Sequence, residues 1–122
     1  MGQDRYGSTV VSLTIPAAGD SSGATGLSDA MRTENGMIAA IEIPATWVTA
    51  AVSFAGAATF GGTYKPIFDS DGTEISITVT AGAIIPLTTN PLAAIPFLKL
   101  RSGLSSAPVA QATTRAINVI MR

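Results

Sequence analysis

IPATWVTAAVSFAGAATFGGTYKPIFDSDGTEISITV, Ile43 to Val79, is the stretch whose reading decides the fold of this chain. At its end Ile75, Ile77 and Val79 alternate with Glu74, Ser76 and Thr78. Side chains on a strand point to opposite faces in turn, so this is a strand with one buried and one wet face. Upstream, in WVTAAVSFA (Trp47–Ala55), Val48, Ala50, Val52 and Phe54 fall on one side and Trp47, Thr49, Ala51 and Ser53 on the other. TYKPIFD (Thr63–Asp69) and TEISITVT (Thr73–Thr80) flank a short turn containing Asp71-Gly72, which predicts a hairpin.

The same period extends outward in both directions. TVVSLTI (Thr9–Ile15) sets Val11, Leu13 and Ile15 on one face, and GMIAAIEI (Gly36–Ile43) is a nearly continuous apolar run closed by Pro44. AIIPL (Ala83–Leu87), IPFLKLR (Ile95–Arg101) and TTRAINVIMR (Thr113–Arg122) follow, the last with Ile117, Val119 and Met121 on one face. No helical periodicity competes. Seven or eight short strands divided by Gly, Pro, Asn and Ser predict an all-β chain, a single antiparallel β-sandwich of jelly-roll type over residues 1–122. The predicted core holds Val48, Phe54, Ile75, Ile77, Val79, Leu98, Leu100, Ile117 and Val119. Pro66 and Pro86 point to sheet edges or bulges, because proline cannot donate to a ladder.

One segment breaks the pattern. PAAGDSSGATGLSDAMRTENG (Pro16–Gly36) is small and polar, and residues 16–35 read as an extended loop or an arm ordered by a partner. Within it LSDAMRTEN has the composition of a helical turn with Ser28 as N-cap.

Composition removes much of chemistry. The chain has no cysteine and no histidine, so thiolate and Ser-His-Asp catalysis, a disulfide framework and the usual metal ligand are all excluded. Neither a phosphate loop nor a dinucleotide fingerprint occurs, and no enzyme activity or cofactor is expected. Seven basic against eight acidic residues leave a net charge of −1, without the basic excess that nucleic-acid binding requires. Only 12% of residues are charged, where a soluble domain has about 25%. A membrane is the first explanation of that deficit, but no apolar run approaches ~18 residues. The N-terminal MGQDRYGSTVVSLTI lacks the basic and apolar blocks of a secretory signal, and the aromatic girdles of an outer-membrane barrel are missing. The expectation is a surface covered by other protein, in a chain made in the cytoplasm.

Few side chains invite a site. DSDGTE offers Asp69, Asp71 and Glu74, but it lacks the remaining ligands of a calcium loop and reads as a turn in which Asp69 caps amides and Gly72 takes positive φ. No metal is expected. Trp47 stands out of phase with the apolar face after it, so it is either a core plug or an interface anchor. With Phe60 and Tyr64 around Gly61-Gly62 it forms the candidate set for an interface or a stacked ligand. Arg101, Gln111, Arg115 and Arg122 near the C-terminal strands read as solvated or paired with a nearby acid, with the alternative of a fork across a subunit boundary.

IEIPATWVTAAVSFAG, TYKPIFDSDGTEISITV, FLKLRSG and PVAQATTRAINVIMR together resemble a small β-sandwich structural protein of tailed bacteriophages and prophages. That resemblance covers most of the chain after Gly36. It implies a virion component made in the host cytoplasm: a head decoration or cement protein, a head fibre, or a tail or baseplate module. It implies no catalytic residues, and as partners it implies the major capsid or tail proteins and further copies of the chain. The resemblance also leaves a second reading, a carbohydrate- or receptor-binding sandwich with Trp47, Phe60 and Tyr64 as stacking rings. Glycan binding predicts an exposed aromatic platform beside carboxylates or amides. Decoration predicts an apolar, charge-poor contact face.

Overall fold

The computed structural model describes residues 9–17, 26–33, 37–87, 92 and 95–122. Among the described residues there is no helix, and ten strands form two antiparallel sheets. The first sheet runs, edge to edge, through β1 (Thr9–Ile15), β10 (Arg115–Met121), β3 (Ile38–Glu42) and β7 (Ile84–Pro86). The second runs through β2 (Met31–Arg32), β8 (Phe97–Leu104), β4 (Val52–Ala57) and β5 (Lys65–Pro66). To these β6 (Ser76–Ile77) adds on β4, and β9 (Ala107–Pro108) adds on β8 as a tight hairpin. The chain changes sheet at each step from β1 to β4, so neighbours in sequence face each other across the core instead of pairing.

Alternation fixes which side chains fill that core. In the β1–β10 ladder Val11 lies opposite Val119 and Leu13 opposite Ile117, which puts the apolar members of both strands on one face. From the second sheet Val52, Phe54, Leu98 and Leu100 enter from the other side, all without solvent exposure. Of the predicted core, Phe54, Leu98, Leu100, Ile117 and Val119 are fully buried, while Ile75, Ile77 and Val79 are half-buried against it.

Val48 is a correction: its side chain is 38% exposed. The strand predicted from Trp47 begins at Val52. Residues before it form a turn in which Trp47 N–H donates to the Pro44 carbonyl at 3.2 Å. Strand phase does not reach that turn, so Trp47 and not Val48 points inward, 6% exposed, with Nε1 donating to the Ala50 carbonyl at 3.1 Å. A large ring gains burial there and its one donor finds a partner.

The predicted hairpin of Thr63–Asp69 with Thr73–Thr80 forms at its tip, where the Asp69 N–H donates to the Thr73 carbonyl at 2.9 Å, but its outer parts pair elsewhere. Lys65 and Pro66 pair with Gly56 and Ala55, then Ser76 and Ile77 pair with Ser53 and Val52 further along the same edge of β4. The two segments are thus one interrupted edge strand, and residues 68–74 are an excursion from it. That excursion is closed by a Phe68–Glu74 bridge and by the Ile75 N–H on the Ile67 carbonyl at 2.9 Å. Pro66, without an N–H, sits on the sheet edge as its type demands.

Of residues 16–35, positions 18–25 and 34–35 lie outside the described residues. Residues 26–33 are extended along β8, not helical. Met31 pairs with Leu98, Arg32 pairs with Phe97, and the Ser28 N–H donates to the Leu100 carbonyl at 2.8 Å. Ser28 caps no helix. Its hydroxyl oxygen accepts the Leu100 N–H at 3.0 Å, serving a sheet edge where a longer strand would.

Candidate interaction surfaces

The outer face of the four-stranded sheet is built from the residues that alternate with the core. Register aligns Val10, Ile120, Ala40 and Pro86 in one row across all four strands. The next row is Ser12, Asn118, Glu42 and Ile84, and beyond it lie Thr14 and Ala116. Val10 is 59% exposed and Ile84 56%. Among the described residues of these rows Glu42 is the single charge, and its Oε1 accepts from Asn118 Nδ2 at 2.7 Å. A depression of about 330 Å³ at the margin is lined by Glu42, Pro44, Ala45, Gly82, Ala116 and Asn118, among others. This face is poor in charge, apolar along its first row and mixed in the next two, where Ser12, Asn118, Glu42 and Thr14 stand beside Ile84 and Ala116.

The outer face of the six-stranded sheet differs. Period two on β8 sends Phe97, Lys99 and Arg101 outward, opposite Ala57, Ala55 and Ser53 of β4. The Phe60 and Phe97 rings meet edge to face, 5.9 Å apart at 75°, and the Arg32 guanidinium lies over both at 5.5 and 5.6 Å. Lys99 Nζ lies 4.6 Å from the centre of the Tyr64 ring. Tyr64 in turn donates its hydroxyl to the Phe60 carbonyl at 2.6 Å, which fixes the Gly61-Gly62 turn between them. Phe60 is half exposed and Tyr64 half-buried, whereas Trp47 lies in the core and takes no part in this row. Of the three rings singled out by sequence, the structure brings two together and adds Phe97. The F-x-K-x-R spacing at 97–101 is the sequence signal that sets Phe97, Lys99 and Arg101 on one face.

At the far end of that row Arg101 is buried. Its Nη1 donates to Glu74 Oε2 and to Ser53 Oγ, both at 3.2 Å, and Glu74 also accepts the Ser105 N–H and hydroxyl. Burial pushes the guanidinium below its usual pKa, and the attraction of Glu74 offsets only part of that. The Arg101–Glu74 pair is therefore a fixed internal strut. Gln111, also buried, ties the turn before β4 to β8: its Oε1 accepts the Val48 N–H at 2.8 Å, and Nε2 donates to the Val48 carbonyl and Ser102 Oγ. Arg115 donates to Thr113 Oγ1 at 2.6 Å.

Asp69 and Asp71 sit in an exposed turn. Asp69 Oδ1 accepts the N–H groups of Asp71 and Thr73 at 2.9 and 3.0 Å, and Gly72 has φ 84°. One carboxylate is thus committed to the turn, while Glu74 is committed to Arg101. Among the described residues no cluster of three or more acids is arranged to hold a metal ion.

No protein-family model, curated protein or solved structure matches this chain.

Proposed function

We propose that this chain is a non-enzymatic structural protein of a bacteriophage virion, a decoration or cement protein that seats the outer face of its four-stranded sheet on neighbouring capsid subunits. The observation that carries this reading is the row Val10–Ile120–Ala40–Pro86, an apolar band exposed at its ends, Val10 and Pro86, with Ile120 half-buried and Ala40 buried between them, and with one charged side chain beside it. Contiguous apolar surface of this kind marks interaction sites, and the cores of interfaces are depleted in charge. The strand order also supports it. β1-β10-β3-β7 over β2-β8-β4-β5, with early strands alternating between sheets, is the order expected of a jelly roll, an architecture common in capsid and lectin domains. The sequence motifs after Gly36 point the same way, toward a virion protein made in the host cytoplasm.

The exposed Phe60 ring favours a second reading, a glycan- or receptor-binding module of a tail or head fibre. Its surroundings favour it less: the rings are covered by Arg32 and Lys99, where glycan recognition calls for carboxylates or amides.

Cryo-electron microscopy of the assembled particle, with wild type and with a Val10→Lys, Ile84→Lys variant, tests the proposal. The wild type is expected as repeated density on the capsid with the four-stranded sheet inward, and the variant is expected to fold but not to be incorporated. Particles lacking the protein, or holding it with that sheet toward solvent, would sink the reading.

A further inference from the structure

We infer that the row of cations and rings on the six-stranded sheet is a docking site for the acidic turn at Asp69–Gly72 of a second copy of this chain, making a head-to-tail contact. Arg32 and Lys99 present their charges over Phe60, Phe97 and Tyr64, and neither forms an ion pair with a carboxylate among the described residues. Arg101, third along β8, is neutralised by Glu74, so the excess charge of the row lies at Arg32 and Lys99. The rings hold both heads in place, which reduces the side-chain freedom a partner must remove on binding.

The complementary surface lies on the same chain. Asp69 and Asp71 are exposed at the tip of the 68–74 excursion, beside Phe68, itself 51% exposed. Asp69 holds the turn rigid through the Asp71 and Thr73 amides, while no partner engages the Asp71 carboxylate among the described residues. The tip therefore offers negative charge and an aromatic ring to a surface of positive charge and aromatic rings. Within one chain the base of the excursion meets the row at the Glu74–Arg101 ion pair, while no ion pair joins Asp69 or Asp71 to Arg32 or Lys99 among the described residues. Two different patches in contact make a heterologous interface, which closes into a ring or runs on as an array. Nucleic acid is a poorer occupant: two cations would displace only about two counterions, too few for useful affinity.

The contact is small and exposed, so it is salt-sensitive and weak in dilute solution, and it strengthens where copies are held side by side. The test needs only the purified chain and does not depend on the virion assignment or on the four-stranded face. Sedimentation velocity is run at about 1 mM protein in about 0.02 M and about 0.5 M salt, where the screening length falls from roughly 20 to roughly 4 Å. Wild type is expected to associate at low salt and dissociate at high salt. A row variant (Arg32→Glu, Lys99→Glu) and a tip variant (Ser70→Lys, Asp71→Lys), each checked for folding by circular dichroism, are expected to be monomeric alone. Mixed, they are expected to associate again, because each row then meets a tip of opposite sign. A monomeric wild type at low salt, association indifferent to salt, or a folded tip variant that associates like wild type would overturn the inference. So would a mixture that stays monomeric.

Discussion

Glu74→Gln separates what holds the second sheet's outer layer from what merely decorates it. The substitution keeps the size of the side chain and one acceptor oxygen for the Ser105 N–H and hydroxyl, and removes the charge facing Arg101 together with the oxygen that accepts from it. At 3.2 Å and an effective dielectric of about 20, that attraction is worth about 5 kcal/mol before solvation is counted. Both side chains are less than a tenth exposed, so solvent does little to compensate a charge left behind. Burial lowers the pKa of Arg101 and Glu74 opposes that shift, so without the carboxylate the buried guanidinium keeps, among the described residues, only the Ser53 hydroxyl as an acceptor. Loss of one partner of a buried pair is expected to cost about 3 kcal/mol. For 122 residues that is a fall in Tm of about 12 °C, from the usual unfolding entropy per residue. Urea titration followed by circular dichroism reads the free energy directly. The companion variant, Arg101→Met with Glu74→Leu, removes both charges and is expected within about 1.5 kcal/mol of wild type. A single variant within 0.5 kcal/mol of wild type (about the spread of surface substitutions), or a double variant worse than the single, would refute the reasoning.

Three further perturbations probe the same framework. Trp47→Ala should cost about 3–5 kcal/mol and Val48→Thr less than about 0.5, a contrast in urea midpoints that strand phase alone would reverse. Gly103→Ala should cost about 2 kcal/mol or more by thermal melting, because φ is 88° and a Cβ would stand 2.7 Å from the Ala107 carbonyl oxygen and the Val109 nitrogen. Melts in excess calcium and in chelator should coincide, since Asp69 is engaged by turn amides and Glu74 by Arg101; a rise of several degrees with calcium would show an ion bound to the native state.

The sequence made legible those features that are local. Period two in Thr9–Ile15 and Arg115–Met121 is set by neighbouring residues, and those strands and their inward faces stand where the pattern placed them. Val48 was misplaced, and the core reading of Trp47 that the structure bears out could not be separated from the interface one, because a turn closed onto Pro44 replaces the strand and resets the phase. The hairpin signal at Asp71-Gly72 was legible and its tip pairs as a hairpin, yet Lys65-Pro66 and Ser76-Ile77 pair with β4, and pairing between separate segments leaves no mark in either one. For the same reason the sequence offers Glu74 as a calcium donor and Arg101 as solvated or paired with some nearby acid, without naming them as each other's partner. The apolar row from Val10 to Pro86 draws one residue from each of four separate strands, so only register reveals it.

The two outer faces bear on the proposal that this chain acts as a cement protein. Holding a lattice together requires at least two simultaneous contacts, and a module with one contact surface coats a lattice without strengthening it. In a two-layer sandwich the sheets pack about 10 Å apart, so their outer faces look in opposite directions and one partner does not occlude the other. Here the faces also differ in chemistry, one nearly free of charge and one carrying Arg32 and Lys99. An apolar seat holds its position against salt, whereas a charged contact is screened by it. If the four-stranded face seats the protein and the cationic row joins it to the next copy, the two functions come apart under salt. On the proposed cement reading, particles at high ionic strength should keep the protein and lose whatever mechanical stability the copy-to-copy contact adds. Release of the protein itself by salt would place the charged row, and not the apolar band, against the capsid.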